Sequence, residues 1–552
     1  MSIYDKASLV LIPSGTKTSK VYSQKPVSGD GDFTFSRSTM ATRVNADGNI
    51  EKETQNLLLQ SNTFDTTWTT TAANITSGQA DKDGGTTAWL LERNGSVNGR
   101  VSQSVSTSGL NTLSLYAKSG SFDWLILRFD NLGERYFDLS SGALGGSRTA
   151  APVDSSIEDV GNGWYRCSIV TNGNSANVRI YPAASNLDTT GTNGTIYIQD
   201  AQLEQGLVAR DYIETTTSAV EGGITDNVPR LDYTDSSCPA LLLEPQRTNL
   251  IGNSEAINPS VDNTWKQLGS NTFTNNYGTS PEGKQNSTLI EFGGTNSSYQ
   301  VYYQMNFSAG DYTTSIYAKG SGSFKLGIYD NASILTDTIT LTSEWQRFEV
   351  TKTAAATSGG RGVWLYPNGD GDTIEVWGGQ CEAGSYATSY IPTYGTSVTR
   401  NYDLAQMLSL NNTSAAWTLF FDVDLDTCPN YNRNFLELDT SGGSRRASFR
   451  WFNGATSNKI SPYFDVDGVY PFSTGVAEND TDNGKIVLRH DGNGNFSYFN
   501  FRNSVAQKRD YSGTAFTASI IDIFGAADAT ELESILFFPS ALSDEECENL
   551  VS

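Results

Sequence analysis

Hydrophobic and polar residues alternate along several short stretches of the chain. Leu113, Leu115 and Ala117 are separated by Ser, Tyr and Lys, and residues 314–319 repeat this order. A period of two places successive side chains on opposite faces of a β-strand. Turn-rich stretches at residues 171–177 and 367–372 separate such strands. Because no long stretch has the 3.6-residue period of an amphipathic helix, the pattern predicts an all-β protein.

Part of this strand pattern is duplicated. The residues Gln202, Glu204, Gly206, Ala209, Tyr212, Ile213 and Thr215 recur 178 positions later as Gln380, Glu382, Gly384, Ala387, Tyr390, Ile391 and Thr393. The shared order extends upstream to Asn56 and Asn249, with an offset that drifts between 178 and 201 positions. Seven identities at one spacing indicate a duplicated module whose loops differ in length. We interpret each copy as a jelly-roll β-sandwich.

A new series of alternating strands begins near Trp417, after the second copy has closed. The chain ends with an apolar strand at residues 532–538 and a short helix that Ser543 caps and that carries acidic residues in its first turn. This ending resembles the last strand and final helix of concanavalin-like and laminin-G-like sandwiches. It predicts a third sandwich.

These patterns divide the chain into five parts. We predict an extended N-terminal arm for attachment or packing (1–55), a first jelly roll (56–217), an extended linker (218–248), a second jelly roll (249–395) and a concanavalin-like sandwich (396–552). Residues 1–55 hold too few strands for a core of their own, so they must pair with residues 227–250, another copy of the chain or another protein. The chain length agrees with roughly three to four domains of ~150 residues.

The composition of the chain limits the kinds of partner that the protein is expected to bind. The chain has 552 residues with 37 basic and 61 acidic side chains, a net charge of −24. Such a charge disfavours binding to nucleic acid or to an anionic membrane. No stretch of about 18 apolar residues is present to insert into a membrane, and the N-terminal apolar run is too short for a secretory signal.

The residues give little support for catalysis. The five cysteines are scattered without a close pair, which favours free buried thiols over a zinc site or disulfides. A Ser-His-Asp triad would have to use His490, the single histidine, which we expect to be an exposed residue at a strand end. Carboxylates are plentiful, but no spacing marks a glycosidase pair.

Three acidic, glycine-rich stretches at residues 81–84, 369–372 and 465–468 offer oxygen ligands for a structural calcium ion. None completes the EF-hand spacing, and plain turns are the favoured interpretation. No other cofactor is expected.

Aromatic residues are the better functional lead. Trp124, Tyr181, Tyr366, Trp377 and Trp451 lie on or beside expected strands and are the candidate glycan-binding residues. An exposed indole or phenol ring stacks on the apolar face of a sugar while Asn, Asp and Arg bond its hydroxyls. Trp164 and Trp345 recur at equivalent places beside an arginine, which favours core packing.

Several strings carry a family resemblance. They are residues 29–45 (GDGDFTFSRSTMATRVN), 228–233 (VPRLDY), 241–250 (LLLEPQRTNL) and the motif from Gln380 to Thr393. They resemble bacteriophage virion proteins of the tail-fibre, head-fibre and head-spike types, over about residues 1–400. The resemblance implies a non-enzymatic structural protein with carbohydrate-binding-like jelly rolls. The first jelly roll looks inserted, since residues 56–217 separate two strings that are close together in that family.

We therefore expect an oligomeric protein on the surface of a phage particle, made in the host cytoplasm, that contacts other virion proteins and host-surface glycans. Many weak glycan sites become effective together through multivalency. Two alternatives come from other classes: a glycan-degrading enzyme with two binding modules, and a bacterial surface glycan-binding protein. The enzyme is disfavoured because no spacing in the sequence marks a pair of catalytic carboxylates. The bacterial surface protein is disfavoured because no secretory signal is recognised.

Overall fold

The structure is a computed structural model. It describes residues 2–369, 373–410, 412–424, 433–440, 445–454, 457–463, 484–513, 515–524 and 530–552. Within these ranges the side chains of 433–435, 445–446, 450–454, 457–463 and 524 are not described. The chain is an all-β protein made of sandwiches, as the alternation predicts.

The elements follow one another in chain order. The first 56 residues form α1 (Ile3–Lys6), β1 (Leu9–Leu11), β2 (Thr16–Lys17), β3 (Lys20–Val21), β4 (Phe33–Ser36), β5 (Arg43–Val44), β6 (Ile50–Glu51) and β7 (Thr54–Asn56). The first repeat contains β8 (Thr69–Thr71), β9 (Ala73–Gln79), β10 (Ala88–Arg93), β11 (Arg100–Ser104), β12 (Leu110–Ser119), β13 (Trp124–Phe129), β14 (Gly133–Asp138), β15 (Ala143–Leu144), β16 (Asp154–Gly161), β17 (Trp164–Asn172), β18 (Asn177–Ala183) and β19 (Gly194–Gln205). The segment between the repeats forms β20 (Val220–Gly222), β21 (Arg230–Asp232), β22 (Ala240–Leu243) and β23 (Arg247–Asn249).

The second repeat and the C-terminal part continue the series. The repeat contains β24 (Trp265–Leu268), β25 (Thr272–Thr274), β26 (Thr288–Glu291), β27 (Gln300–Phe307), β28 (Gly310–Gly320), β29 (Ser323–Tyr329), β30 (Ile334–Thr340), β31 (Gln346–Ala354), β32 (Thr357–Pro367) and β33 (Thr373–Ala383). The last part contains β34 (Val398–Arg400), β35 (Leu404–Met407), β36 (Ala416–Val423), β37 (Arg433–Asp439), β38 (Arg445–Gly454), β39 (Ser457–Tyr463), β40 (Lys485–Asp491), β41 (Asn495–Arg502), β42 (Val505–Ser512), β43 (Ile520–Phe524), β44 (Thr530–Phe538) and α2 (Asp544–Val551).

Module 1 (residues 56–217) and module 2 (residues 249–395) are two-sheet sandwiches with the same strand plan. The sheets of module 1 have the orders β16-β17-β12-β19-β10-β9 and β15-β14-β13-β18-β11-β8. Those of module 2 have the orders β31-β28-β33-β26-β25 and β30-β29-β32-β27-β24. Module 1 differs by the two extra edge strands β15 and β16, which explains why the repeat offset falls from 201 to 181 positions across this region. The repeat prediction is confirmed.

The alternating residues build the module cores. Leu113, Leu115 and Ala117 on β12 are fully buried between the sheets, as are Ile316 and Ala318 on β28. Their neighbours point to the other face of the sheet, as the period of two requires. Burial of these apolar faces stabilises each module by about 25 cal/mol per Å² of apolar surface.

The third sandwich is assembled from three separated chain segments, and we call it the split sandwich. One sheet has the order β21-β22-β44-β36-β40-β41-β42, with β1 paired to β44, and the other has the order β2-β3-β4-β35-β43-β37-β38-β39. Leu9, Leu11, Leu241 and Leu243 are buried in the same core as Trp417. The structure therefore differs from the expected division, because the N-terminal arm and the linker are integral parts of the C-terminal sandwich.

This correction has a simple physical cause. Strands of two to four residues cannot bury an apolar face alone, and the long strand β44 offers an edge for them. Leu9–Leu11 pairs with residues 535–537, and residues 241–243 pair with residues 530–532 farther along the same edge. The helix α2 begins after its cap Ser543, as predicted.

Both modules leave the split sandwich through two-stranded stems. Strand β7 pairs with β20 on either side of module 1, and β23 pairs with β34 on either side of module 2. The expectation that module 1 is inserted agrees with this arrangement. Module 2 is inserted as well, which the sequence patterns did not indicate.

The two modules also pack on each other. Leu110 and Val170 of module 1 share an apolar cluster with Ala256 of module 2. The Leu110 N–H donates to the Tyr394 carbonyl at 2.8 Å. A Cβ atom at Gly109 would stand 1.5 Å from that carbonyl oxygen, so glycine is required for this close approach. The relative position of the two modules is thus fixed by direct contacts.

Candidate functional site

The residues that recur between the modules form a clasp that closes each sandwich. In module 2 the Ser254 and Tyr390 hydroxyls lie 2.6 Å apart, and the Thr393 N–H donates to Ser254 Oγ at 2.9 Å. In module 1 Ser61 makes the same contacts with Tyr212 and Thr215, at 2.6 and 2.9 Å. The clasp ties the start of each module to the segment that follows its last strand. This structural role accounts for the recurrence of these residues.

A glutamine and a glutamate on the last strand complete the clasp. Gln380 Nε2 donates to Glu382 Oε2 at 2.8 Å, and Gln380 Oε1 accepts the Ile391 N–H at 2.7 Å. Gln202 and Glu204 hold the tail of module 1 in the same way. All four side chains are buried, so the motif offers nothing to a ligand at the surface.

Two buried ionic networks join the three sandwiches. At the stem of module 2, Arg230 and Arg400 contact Glu244 at 2.5 and 2.7 Å, while Arg37 contacts Asp403 at 3.0 Å. Burial acts to raise the pKa of Glu244, but Arg400 and Arg230 hold it well below its ordinary value. Pairs so fully buried are weak evidence of stability, but the loss of either partner is costly.

The second network lies between the modules. Lys52 contacts Glu282 of module 2 at 2.7 Å, and Arg210 of module 1 contacts the same carboxylate at 2.7 Å. Burial acts to raise the pKa of Glu282, but Arg210 and Lys52 lower it to about 2. This carboxylate is therefore ionised at neutral pH and links both modules.

The strongest surface candidate is the outer face of the sheet β30-β29-β32-β27-β24, which we call the ring face. The Arg361 guanidinium lies 4.4 Å from the centre of the Tyr302 ring, 4.9 Å from Tyr329 and 5.2 Å from Trp364. Trp364 also contacts Tyr366, with 5.0 Å between ring centres. Tyr302, Tyr329 and Arg361 are half-buried and reach solvent, whereas Trp364 is almost fully buried beneath them.

Strand register explains this grouping. Val363 and Leu365 of β32 point into the core, so Trp364 and Tyr366 point outward. Strands β27 and β29 flank β32 and carry Tyr302 and Tyr329. Gln300 Oε1 accepts the Trp364 indole N–H at 3.0 Å and also bonds Arg361, which orients both side chains.

The corresponding face of module 1 is largely covered. Trp124 and Tyr181 lie together there with Tyr136, and Arg100 stands 5.8 Å from the Tyr181 ring centre. Tyr181 is only 6% exposed, and Gly145 packs directly against the half-buried Trp124. Sequence analysis thus chose two residues of one face, but that face is less open than the ring face of module 2.

The remaining aromatic predictions have mixed outcomes. Trp377 is fully buried, so the expectation that it is a surface ring is wrong; its ring packs 4.6 Å from Tyr390. Trp451 lies on β38, but its side chain is outside the described residues. Trp164 is buried, as expected, whereas Trp345 is only half-buried and donates to the Thr279 carbonyl at 2.9 Å.

Sequence analysis missed Tyr302, Tyr329, Arg361 and Trp364. One signal was present, since Trp364 and Tyr366 are two positions apart and must share a face of the strand. The contributions of β27 and β29 depend on strand order, which one sequence does not reveal.

His490 is fully buried, so the expectation of an exposed strand-end residue is wrong. Its Nδ1 contacts the Ala415 carbonyl, its Nε2 accepts the Gly494 N–H at 3.2 Å, and its ring stacks on Phe496 at 4.4 Å. Burial lowers the pKa of His490. Both ring nitrogens are engaged in holding the β40–β41 turn.

The cysteines carry no recognisable chemistry among the described residues. Cys167, Cys381 and Cys547 are free and buried, as expected, while Cys238 is free and exposed. Burial raises the pKa of Cys547 to about 12, which suppresses its thiolate. Cys428 lies outside the described residues.

The acidic stretch at residues 81–84 is a plain turn. Asp81 accepts the N–H groups of Asp83, Gly85 and Thr87 at 2.9, 2.7 and 3.0 Å. These bonds occupy both of its oxygens and lower its pKa to about 2. Residues 370–372 and the whole stretch 465–468 lie outside the described residues.

A different set of acids is brought together by the fold. Carboxylate oxygens of Asp235, Asp424 and Glu531 lie within 4.8 Å of one another. Burial and the neighbouring carboxylates raise the pKa of Glu531 to about 8. Since these residues come from three distant segments, no spacing in the sequence marks them.

Two clefts of ligand size occur at the junctions between sandwiches. One of about 490 Å³ lies between module 2 and the split sandwich, and Tyr317, Arg347, Tyr386 and Asp232 are among its lining residues. The other, of about 320 Å³, lies between the two modules. Ligand sites in proteins commonly fall in this size range and at such junctions. In the described part of the chain, no helix is long and apolar enough to span a membrane.

Comparisons with known proteins give likenesses among solved structures alone. No family model and no curated protein matches the chain. Among solved structures the chain is similar to the N-terminal CBM22-1-CBM22-2 tandem domain from Paenibacillus barcinonensis Xyn10C, with 11% identity, a TM-score of 0.20, and coverage of 60% of this chain and 97% of that one.

Proposed function

We propose that this protein binds glycans through the ring face of module 2 and catalyses no reaction. The observation that carries the proposal is the grouping of the half-buried, solvent-reaching Tyr302, Tyr329 and Arg361 around Trp364 on the outer face of one sheet. Flat aromatic surfaces stack on the apolar faces of sugar rings. No comparable open grouping lies on module 1, whose aromatic face is covered.

Arg361 adds polar recognition to this surface. One of its N–H groups is taken by Gln300, and the others make no hydrogen bond to a described residue. A guanidinium held between two tyrosines loses little conformational freedom when it bonds a sugar hydroxyl. The predicted ligand is therefore a glycan that offers a sugar face and hydroxyl groups at its edge.

A glycan array followed by titration of the best ligand tests the proposal. We expect Tyr302→Ala and Tyr329→Ala each to weaken binding by roughly five- to thirtyfold, because loss of one ring contact costs about 1–2 kcal/mol. Tyr277→Ala is the matched control, since Tyr277 is 50% exposed on module 2 but lies away from the ring face. Unchanged binding by both ring-face variants would contradict the proposal.

The absence of catalysis is a separate part of the proposal. It is supported by the engaged nitrogens of His490, which leave that ring unable to serve as the base of a Ser-His-Asp triad. Purified protein should leave its glycan ligand uncut. Release of reducing ends that a single Asp or Glu substitution in residues 401–552 abolishes would establish an enzyme instead.

Display on a phage particle completes the proposal, and it is supported by the sequence resemblance. The strings at residues 29–45, 228–233 and 241–250 all fall in the split sandwich or its stems, so we assign this sandwich to attachment on the virion. Immunogold labelling of phage particles and the mass of the purified protein in solution test this assignment. Unlabelled particles or a strictly monomeric protein would count against it.

A further inference from the structure

The cleft between the two modules is a second site with a chemistry of its own. Its volume is about 320 Å³. Its walls include Asn172, Asn174, Gln205, Asn253, Asp262 and Tyr394. Module 1 supplies the first three and module 2 the others, so neither repeat forms the cleft alone.

The cleft is preformed by the contacts that dock the modules. Asn172 Nδ2 donates across the junction to the Val261 carbonyl at 2.8 Å, and the Leu110 N–H donates to the Tyr394 carbonyl at 2.8 Å. A Cβ atom at Gly395 would stand 2.8 Å from the Gly109 Cα, so the backbones of the two modules touch at glycines. A ligand that enters therefore does not have to order the walls, which favours binding.

The cleft presents unused amide groups. The side chains of Asn174 and Gln205 make no hydrogen bond to any described residue, and both reach solvent. Asn253 is 3% exposed, and its Oδ1 is buried without a partner while its Nδ2 bonds Asp262 at 3.0 Å. This oxygen is enclosed by protein, so the amide groups that a ligand can reach are those of Asn174 and Gln205.

The charge of the cleft restricts the ligand class. No lysine or arginine is among its lining residues, and both Asp262 oxygens already accept bonds, from Asn253 and from Thr264. An anionic ligand would find no counter-charge there. Amides donate and accept, which matches hydroxyl groups that also do both.

We propose that the cleft between the modules binds one or two residues of a neutral saccharide through Asn174 and Gln205. The proposal rests on the glycan-binding function but concerns a separate site. A long glycan held at both places would gain affinity because the second contact is intramolecular.

Two sets of variants separate the sites. Saturation-transfer NMR with maltose, cellobiose and lactose is measured on the full-length protein, on Tyr302→Ala/Tyr329→Ala, on Ser108→Trp and on all three substitutions together. Ser108 is exposed at the cleft, so a tryptophan there fills the space without disturbing a core. Ser77→Trp, on the exposed edge strand β9, is the control for the added ring.

We expect the ring-face variant to retain binding of at least one of the disaccharides and the triple variant to lose it. Asn174→Ala/Gln205→Ala should weaken the same residual binding by roughly tenfold, from two lost hydrogen bonds, whereas Asn193→Ala, at an exposed amide outside the cleft, should not. If the ring-face variant still binds and adding Ser108→Trp leaves that binding intact, the cleft site is overturned. If the ring-face variant alone loses all binding, the cleft site is also overturned, while the proposed function stands. If only the cleft variants lose binding, the ring-face function is overturned and the cleft stands.

Discussion

Trp377 is a residue whose role the structure reverses. It is fully buried, its indole N–H has no partner, and its ring packs against Tyr390 and Tyr317. Trp377→Ala should lower the free energy of unfolding by about 3–5 kcal/mol, the usual cost of truncating a buried tryptophan. Trp377→Phe should cost less, because it keeps a ring and removes the unpaired donor. Urea denaturation of both variants and of Trp124→Ala measures the difference.

The half-buried Trp124 provides the comparison, and its truncation should cost less than that of Trp377. Equal midpoints for wild type and Trp377→Ala would contradict the packing role. Alternation correctly gave the strand positions of Trp377 and His490. It did not show that a neighbouring segment covers the outer face at Trp377, because such cover comes from residues distant in the chain. His490 lies on the core face of β40 beside Trp417 and Phe496, the face that Ile486 and Leu488 also share. This is why burial in the core was predictable while burial at junctions was not.

At the scale of elements, Asn56 and Asn249 are equivalent residues that help to close the two modules. Asn249 Nδ2 donates to the Ile391 carbonyl at 2.9 Å, and its Oδ1 accepts the N–H groups of Ile251 and Cys381. Asn56 makes the equivalent bonds in module 1. Each Asn→Ala change leaves buried backbone groups unpaired, at about 1–3 kcal/mol for each group.

Hydrogen exchange should locate the effect of each substitution. Asn56→Ala should speed exchange in the strands of module 1 and Asn249→Ala in those of module 2, with the other module serving as the internal control. If either change loosens both modules equally, the clasps are not local closures. The repeated motif revealed these partners from sequence, but only the fold shows that their role is closure.

The short strands are the elements that sequence could not place. Residues 9–11 are apolar and strand-like, which the pattern indicates, but their partners are residues 535–537 at the opposite end of the chain. We expect a protein lacking residues 2–12 to lose the split sandwich, because Leu9 and Leu11 leave a gap in its core and the edge of β44 becomes exposed.

Limited proteolysis and thermal denaturation test this truncation, with cleavage expected in residues 402–552 before the modules. Removal of residues 2–3 alone, which leaves β1 in place, is the control. A truncated protein that melts like wild type would mean that the first strand instead packs on another copy of the chain or on another protein, two of the partners that sequence analysis left open for the arm.

For the whole molecule, the buried acids set the response to pH. Burial and nearby like charges raise the pKa of Glu531 to about 8 and those of Glu53 and Asp422 to about 7. In the unfolded chain the carboxyl groups of Glu and Asp ionise near their ordinary pKa values of 4.5 and 3.8. Between these limits the folded protein holds more protons than the unfolded chain, so stability falls as pH rises from about 5 to 8.

Other groups oppose this trend at lower pH. The pKa of His490 is lowered by burial, so its contribution is lost as pH falls below its ordinary value of 6.5. Glu282, with a pKa of about 2, contributes stability that is lost as pH falls below its ordinary pKa of 4.5. Asp200 and Glu349 also have raised pKa values, so the raised carboxyls outnumber the single histidine and we expect maximum stability between about pH 5 and 6.

Urea midpoints from pH 4 to 9, measured with a chelator so that no cation offsets the charge on Glu531, test this expectation. Glu531→Gln should flatten the fall between pH 6 and 8, because glutamine stays neutral where the buried carboxyl must ionise. Glu545→Gln, at an exposed acid on α2, is the control and should leave the curve unchanged. A wild-type midpoint that rises steadily from pH 5 to 8 would show that Glu531, Glu53 and Asp422 are ionised throughout this range. A partner not seen among the described residues would then compensate their charge.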